Sequence, residues 1–352
     1  MLAARYYTAG DIRVEEVADP VISQADDIIV EVALCGICGT DLHEYQSGPI
    51  VTPKSPHPLT HAQLPQILGH EFSGTIVEKG PAVSGLAIGT KVAIMPSVVC
   101  HECYFCRRGM QALCTKFASL GLSAESGGLA RYAKVKPYNI APLPESMSFE
   151  EGALVEPAAV AAYGVDRGNL VGGDNVLIIG AGPIGILSAL YADAMGAGTI
   201  AIVEPNAQRA KLARELNVGP VLDPTAEETD DALREVTQGL GMDLTIECSG
   251  TGAGLALGID QTRRRGGIVQ TGLHTKPAQI DAMRLSENEL TIYGSWCFSI
   301  NDWPRVIRLI ERGKYPVEKA LTSVIDIKDV VGRGFDALSD PNGNDLKILV
   351  RP

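Results

Sequence analysis

The sequence predicts an α/β protein in which a mostly parallel, doubly wound sheet follows a separate strand-rich region. Three observations carry this. The 352 residues exceed what one hydrophobic core usually serves, so two domains are the default expectation. From Gly173 onward, apolar strand-like runs alternate with helical patterns, with strands expected at 175–179, 199–203, 219–222, 243–247 and 267–271. The intervening helices are expected near 184–195, 206–217, 227–237 and 252–264. Finally, Val176-Leu-Ile-Ile179 runs into Gly180-Ala-Gly182-Pro183-Ile184-Gly185, and a helical pattern follows to Ala194.

Strand, tight turn and helix form the context that a GxGxxG dinucleotide-binding fingerprint needs. The glycines let the backbone turn sharply and approach a pyrophosphate, whose charge the exposed amides at the helix start can meet. An acidic residue, Glu204, closes the next apolar strand roughly 20 residues on, where a ribose-binding carboxylate belongs. A carboxylate there accepts both ribose hydroxyls and repels a 2′-phosphate, so NAD is favoured over NADP. Arg209 follows in a helical pattern with Lys211 and Arg214, where a solvated face is the plain alternative to a cofactor contact. Glu247-Cys248-Ser249-Gly-Thr251 closes the fourth strand and Gly272-Leu273-His274 the fifth, both at the sheet's carboxyl edge, where ligands bind.

The net charge of −12 argues against a nucleic acid or an anionic membrane as partner. No uninterrupted apolar run approaches the ~20 residues of a spanning helix. The N-terminal Met1-Leu-Ala-Ala-Arg lacks the apolar stretch of a signal peptide, so a cytoplasmic location is expected. Eight cysteines are the unusual feature. Their clustering in a cytoplasmic chain reads as metal binding before disulfides.

In chain order, Asp27 to Leu34 is a β-branched strand running into Cys35-Gly-Ile-Cys38-Gly-Thr40-Asp41-Leu-His43. No second cysteine pair sits at a matching distance. One of the two cysteines can serve a site completed from elsewhere while the other is simply buried, and spacing alone leaves Cys38 undecided. Residues 46–66, punctuated by prolines and carrying His57 and His61, read as a long functional or mobile loop. Gly69-His70-Glu71 then precedes a strand and could supply nitrogen and oxygen ligands, with a structural histidine as the alternative.

Cys100, Cys103, Cys106 and Cys114 follow the spacing C-x2-C-x2-C-x7-C, which suits one tetrahedral zinc, with iron–sulfur as the rival. Four thiolates close the shell, so this metal would be structural, and Arg107, Arg108 and Lys116 are placed to offset its charge. His101 is not needed. Further on, a helical pattern from Glu150 to Tyr163 embeds Glu156 among apolar residues before Pro157. A buried ionised carboxylate needs a partner or a metal. After the fifth strand come a further strand with its turn (290–299, including Ser295), an amphipathic helix (302–312) and a terminal strand (345–350).

Taken together, Cys38-Gly-Thr-Asp-Leu-His43, Gly69-His70-Glu71, the four-cysteine lobe, Glu156-Pro157 and Gly180-x-Gly182-x-x-Gly185 resemble the zinc-dependent medium-chain dehydrogenase/reductase family, the alcohol dehydrogenase-like superfamily, over essentially the full chain. Within it, Ser47-Gly-Pro-Ile, His57-Pro-Leu-Thr60 and Gly152-Ala-Leu-Val-Glu-Pro resemble the 2,3-butanediol (acetoin) subgroup, with sorbitol-type polyol dehydrogenases next. The resemblance implies a GroES-like β-rich catalytic domain over 1–155, with a structural zinc lobe at about 96–116. It implies a Rossmann NAD-binding domain over 156–290 and a return to the catalytic domain over 291–352, including a late interdomain helix and the terminal strand.

It further implies one catalytic and one structural zinc per subunit, Cys38 and His70 being ligands of the catalytic one. Family members differ over the rest of that set. Many place a cysteine where this chain has Glu156, whereas polyol-type members place glutamate and use Glu156, Glu71 or a water. Here Glu156 is expected as a direct or water-mediated ligand and Glu71 as an exchangeable one, with Asp41 fixing the tautomer of His70. Thr40 and His43 would relay the proton. NAD would contact Gly180, Gly182, Pro183, Ile184, Gly185, Glu204, Arg209, Cys248, Ser249, Gly272, Leu273, His274 and Ser295. A small diol or hydroxyketone is the implied substrate, oxidised as a secondary alcohol or formed by the reverse reduction, and a homodimer or homotetramer the implied assembly.

Overall fold

The computed structural model describes residues 1–352 as two compact units, Met1–Glu156 with Ser299–Glu311 and Leu321–Pro352, and Pro157–Phe298 with Arg312–Ala320. The return to the first unit, expected at residue 291, comes at Ser299, and the stretch 312–320 goes back to the second. Alongside the fully buried Val317 and Ala320, Tyr315 anchors the second excursion. Its ring is fully buried, and its hydroxyl donates to the carbonyls of Ala158 (3.3 Å) and Leu187 (3.1 Å). A phenol inside a core needs such acceptors.

The first unit is built on a mostly antiparallel sheet. In order across it run Ile140–Pro142, Lys91–Ile94, Glu71–Lys79, Ile28–Gly36, Ile348–Arg351 and Ser323–Asp326, and Tyr132–Val135 also pairs with Ile28–Gly36. The terminal strand thus lies beside the strand that leads to Cys38, pairing Val350 with Cys35 and Leu349 with Gly36. Across the same central strand, Gly36 faces Glu71 and Cys35 faces Phe72. Three distant stretches are thereby brought together at one sheet end. Their apolar faces close on a core that includes Val30, Ile76, Leu129, Ile348 and Phe335.

In the second unit, six parallel strands take the order 3-2-1-4-5-6, namely Val221–Leu222, Thr199–Val203, Asn175–Ile179, Met242–Glu247, Thr262–Gln270 and Thr291–Gly294. Val176 to Ile179 are all buried, as a strand covered on both faces requires. The strand order reverses between Asn175–Ile179 and Met242–Glu247, which makes that crevice the switch point where ligands of doubly wound sheets bind.

Two local expectations shift. The strand expected at 219–222 is reduced to Val221–Leu222. The helix expected over 252–264 stops at Gln261, and Thr262 opens the next strand with its hydroxyl bonded to that of Thr245 at 2.7 Å. No helix is long and apolar enough to cross a membrane.

Candidate active site and cofactor-binding edge

The four cysteines of the lobe come together over two short helical turns, Cys106–Arg108 and Gln111–Leu113. Cys114 Sγ lies 3.5 Å from Cys100 Sγ, and Cys100 Sγ lies 4.0 Å from Cys106 Sγ. These separations bracket the ~3.8 Å edge of a tetrahedron with ~2.3 Å zinc–sulfur bonds. Backbone amides point at the sulfurs: Cys106 N–H at Cys103, and the Cys100 and Lys116 amides at Cys114. The Cys106 amide is the chief reason the Cys103 thiol is drawn down to about 6, whereas burial pushes Cys106 up to about 12.

Among the nearby cations expected to offset the sulfurs' charge, Lys116 is held above its ordinary pKa by Glu102 first and also by Cys100 and Cys114. Lys116 is paired with Glu102 at 3.0 Å, and the Arg108 guanidinium stacks on Tyr104. His101 packs edge-on against Tyr138.

The second cluster joins Cys38, His70 and Glu71, whose ligand atoms all lie within 4.8 Å of one another. Cys38 is the N-cap of the helix Gly39–Ser47, and its amide donates to Asp41 Oδ2 at 3.0 Å. Asp41 is fully buried, with Oδ1 3.5 Å from His70 Nδ1. Burial alone would lower the His70 pKa, but Asp41 and Cys38 outweigh it, and the group sits well above its ordinary value. A cation with this carboxylate and thiol nearby would replace the proton on the imidazole.

Cys35, by contrast, is packed in the core, and burial raises its thiol well above the ordinary range. Thr40 Oγ1 is 3.8 Å from Cys38 Sγ. His43 is half-buried on the same helix, three residues beyond Thr40 and therefore on a neighbouring face position. His57 has a structural task, its Nδ1 accepting the Leu59 and Thr60 amides.

Glu156 lies in the helix Phe149–Arg167 and is 8 % exposed. Proline disfavours helical backbone in the residue before it, yet Glu156 remains helical, held by the fully buried residues around it, Ala153 to Val155 and Ala158. Burial pushes its carboxyl up to about 8, partly offset by His70 and reinforced by Glu71. An acid so placed needs a cation to ionise at neutral pH.

Lys347, which sequence reasoning missed, supplies one nearby. It is 1 % exposed, and its ammonium donates to Glu71 Oε2 and, at 3.0 Å, to the carbonyl of Ile37. The available signal was a lone lysine inside the apolar run Leu346–Val350.

At the carboxyl edge of the parallel sheet, Gly180 takes φ +93°, and a Cβ on Gly185 would collide with the Gly180 carbonyl. A Cβ on Gly182 would meet nothing within 4 Å. The turn therefore leaves open the space a pyrophosphate needs, in front of the helix Pro183–Ala194 whose N-cap is Gly182.

Glu204 is buried, and its carboxylate accepts the amides of Ala181 (2.7 Å) and Asn206 (2.8 Å). Arg209 is exposed, its backbone amide bonded to the Asn206 cap. The Cys248 thiol lies 3.9 Å from Ser188 Oγ. Ser249, Gly272, Leu273 and His274 lie together at the ends of the fourth and fifth strands, and Ser295 follows the sixth, its hydroxyl without a protein partner.

Fold and donor sets define an NAD-linked, zinc-dependent oxidoreductase acting on CH–OH groups, with a four-thiolate cluster and a mixed sulfur, nitrogen and oxygen cluster. Family comparison agrees. Residues 24–145 match the alcohol dehydrogenase GroES-like domain, and residues 183–312 match the zinc-binding dehydrogenase domain. Over 355 aligned residues, covering all of both chains, the sequence is 36% identical to (R,R)-butanediol dehydrogenase of Bacillus subtilis (strain 168).

The crystal structure of 2R,3R-butanediol dehydrogenase from Bacillus subtilis superposes with a TM-score of 0.93 at 35% identity, covering 100% of this chain and 99% of that one. Galactitol-1-phosphate dehydrogenase from Escherichia coli matches with a TM-score of 0.86 at 26% identity over the full length of both chains. The chain belongs to the zinc-dependent medium-chain dehydrogenase/reductase family, the alcohol dehydrogenase-like superfamily.

Proposed function

We propose that this dehydrogenase oxidises (R,R)-2,3-butanediol to acetoin with NAD and catalyses the reverse reduction of acetoin or diacetyl. The observation that carries the reading is the second metal cluster, in which Cys38, His70 and Glu71 converge beside Glu156 in place of a closed thiolate shell. Similarity over the full length to (R,R)-butanediol dehydrogenase supports the choice of substrate. When bound, zinc supplies a Lewis acid with an open coordination position, and NAD supplies the hydride acceptor.

The chain's own residues divide the remaining work. Cys38 and His70 hold the metal, with Asp41 behind His70 fixing its ring. Glu156 completes the set, directly or through a water, while the ammonium of Lys347 draws Glu71 back. The Thr40 hydroxyl takes the substrate proton, and His43 carries it onward, an imidazole being the side chain suited to proton transfer near neutrality. Glu204 accepts the ribose hydroxyls of the adenosine and disfavours a 2′-phosphate.

A sorbitol-like polyol or a general secondary alcohol is the second reading, favoured by the likeness to galactitol-1-phosphate dehydrogenase. Initial rates of NADH formation on the stereoisomers of 2,3-butanediol, on sorbitol and on 2-propanol separate the three. The proposal expects the highest kcat/KM on the R,R diol. A preference for sorbitol overturns the substrate assignment, and no turnover of any of these alcohols by zinc-loaded protein overturns the enzymatic reading.

A further inference from the structure

Two buried carboxylates end parallel strands on either side of the switch-point strand Asn175–Ile179. Glu204 ends the neighbour in the first half of the sheet, and Glu247 ends the neighbour in the second. Doubly wound dinucleotide folds consist of two mononucleotide-binding halves, and the half with the glycine turn and its acidic residue takes the adenosine. Glu204 belongs to that half. Glu247 stands at the equivalent place in the other.

Glu247 is fully buried, and most of what it touches belongs to two loops. From the first loop, its Oε1 accepts the amides of Ser249 (2.8 Å) and Gly250 (3.1 Å), together with the Ser249 hydroxyl. From the second side, its Oε2 accepts Gln270 Nε2 at 2.6 Å, and Gln270 Nε2 also donates to the Gly272 carbonyl at 2.9 Å. The main-chain carbonyl of Glu247 accepts the amides of Thr271 (2.9 Å) and Gly272 (2.8 Å). His274 Nε2 faces Oε2 at 3.5 Å and is buried without a hydrogen-bond partner. Side chains are excluded from the space around this knot: a Cβ on Gly272 or Gly254 would press on the Glu247 carboxylate, and one on Gly250 would strike the Leu273 carbonyl.

We propose that Glu247 is the positioning residue of the nicotinamide-side half of the cofactor site, locking residues 248–251 and 271–274 into one rim and setting the orientation of the His274 ring. A buried carboxylate that gathers donors from two loops costs desolvation, and that cost is offset only while both loops stay in place. The knot therefore makes the two loops one unit, as Glu204 ties Ala181 of the glycine turn to Asn206 in the adenosine half. This inference rests on NAD being the cofactor.

The test measures dissociation constants of NADH and of AMP, a probe of the adenosine half alone, on the full-length zinc-loaded protein and on E247Q. The expected result is NADH binding weakened about tenfold or more in E247Q, with AMP affinity unchanged. E204Q, the mirror control, weakens both ligands. Gln270→Leu removes only the amide bridge, and it gives the same selective loss should E247Q fail to fold. Equal weakening of AMP and NADH would mark Glu247 as a general structural residue and overturn the proposal, as would unchanged NADH binding in both variants. Wild-type protein that binds neither ligand would instead overturn the cofactor reading itself.

Discussion

The four-cysteine lobe and the Cys38/His70 cluster lie in the same unit, yet they are assembled in opposite ways. The lobe takes all its ligands from Cys100 to Cys114, and short turns suffice to bring the sulfurs together. The other cluster gathers Cys38 from a helix N-cap and His70 and Glu71 from a strand start, with Glu156 of a long helix near them and Lys347, just before the terminal strand, bonded to Glu71. Four thiolates with amides aimed at them saturate a tetrahedral metal. One thiolate, one imidazole and carboxylates under competing pulls would hold a metal less completely and supply Lewis-acid chemistry. What separates a structural from a catalytic zinc in this chain is therefore the donor set and how firmly each donor is held, not the metal.

Removing one ligand from each cluster should break the comparison apart most visibly. Cys38→Ala should lower kcat/KM by about 10³-fold or more, the scale of several kcal/mol of lost transition-state stabilisation. It should release one zinc per chain while leaving Tm nearly unchanged. Cys103→Ser should do the reverse, lowering Tm by several degrees through a lobe that no longer folds around its metal. Metal analysis, thermal unfolding and initial rates on the pair check this, and similar behaviour of the two variants would refute the distinction.

A smaller effect is expected downstream of the metal. His43→Ala should reduce kcat by about 10²-fold at neutral pH, the usual size of a lost proton carrier. It should keep both zincs, so the loss shows in the rate and not in the metal count.

Lys347→Met tests what holds the second cluster open. Without the ammonium, Glu71 is a buried carboxylate with no cationic partner and is free to turn towards the metal. A roughly 10–100-fold change in zinc affinity or in kcat/KM is expected, as for other groups that orient metal ligands. Competition with a chelator and visible spectra of the cobalt-substituted protein report the ligand change, and neither should move at the lobe. The smallest effect belongs to the cofactor edge. Glu204→Gln should narrow the preference for NAD over NADP by about tenfold, the value of ~1.4 kcal/mol of charge repulsion, as read from kcat/KM with each cofactor.

The same contrast explains how much could be read from the residues alone. The lobe is legible because its chemistry is contiguous, and so are the glycine turn and the first five strands of the parallel sheet, whose signals are local. The sixth strand, Thr291–Gly294, is expected from the sequence in the returning segment but pairs with Thr262–Gln270 instead. Cys38 and His70 carried no local mark that distinguished ligand from core. Spacing alone leaves Cys38 undecided, because its partners sit beside strands paired across long stretches of chain. Lys347 was missed for the same reason, and Glu247, placed at the ligand-binding sheet edge, showed nothing of the bonds it makes to Gln270 and Gly250. A buried ion pair between residues 71 and 347, or a carboxylate tying two loops, depends on strand register that periodicity does not reveal. The segment 312–320 likewise lies in the second unit through fully buried Tyr315, Val317 and Ala320, and the acceptors of the Tyr315 hydroxyl lie far away in sequence.

Stepwise metal removal tests the central claim most directly. Dialysis against a chelator, with zinc per chain and diol-dependent NADH formation followed together, should remove one zinc first. Activity should fall in proportion to that zinc while the fold persists, and it should return when zinc is restored. Full turnover with a single zinc left in the lobe, or activity indifferent to zinc, would contradict the assignment of Cys38, His70 and Glu156 as the site of chemistry.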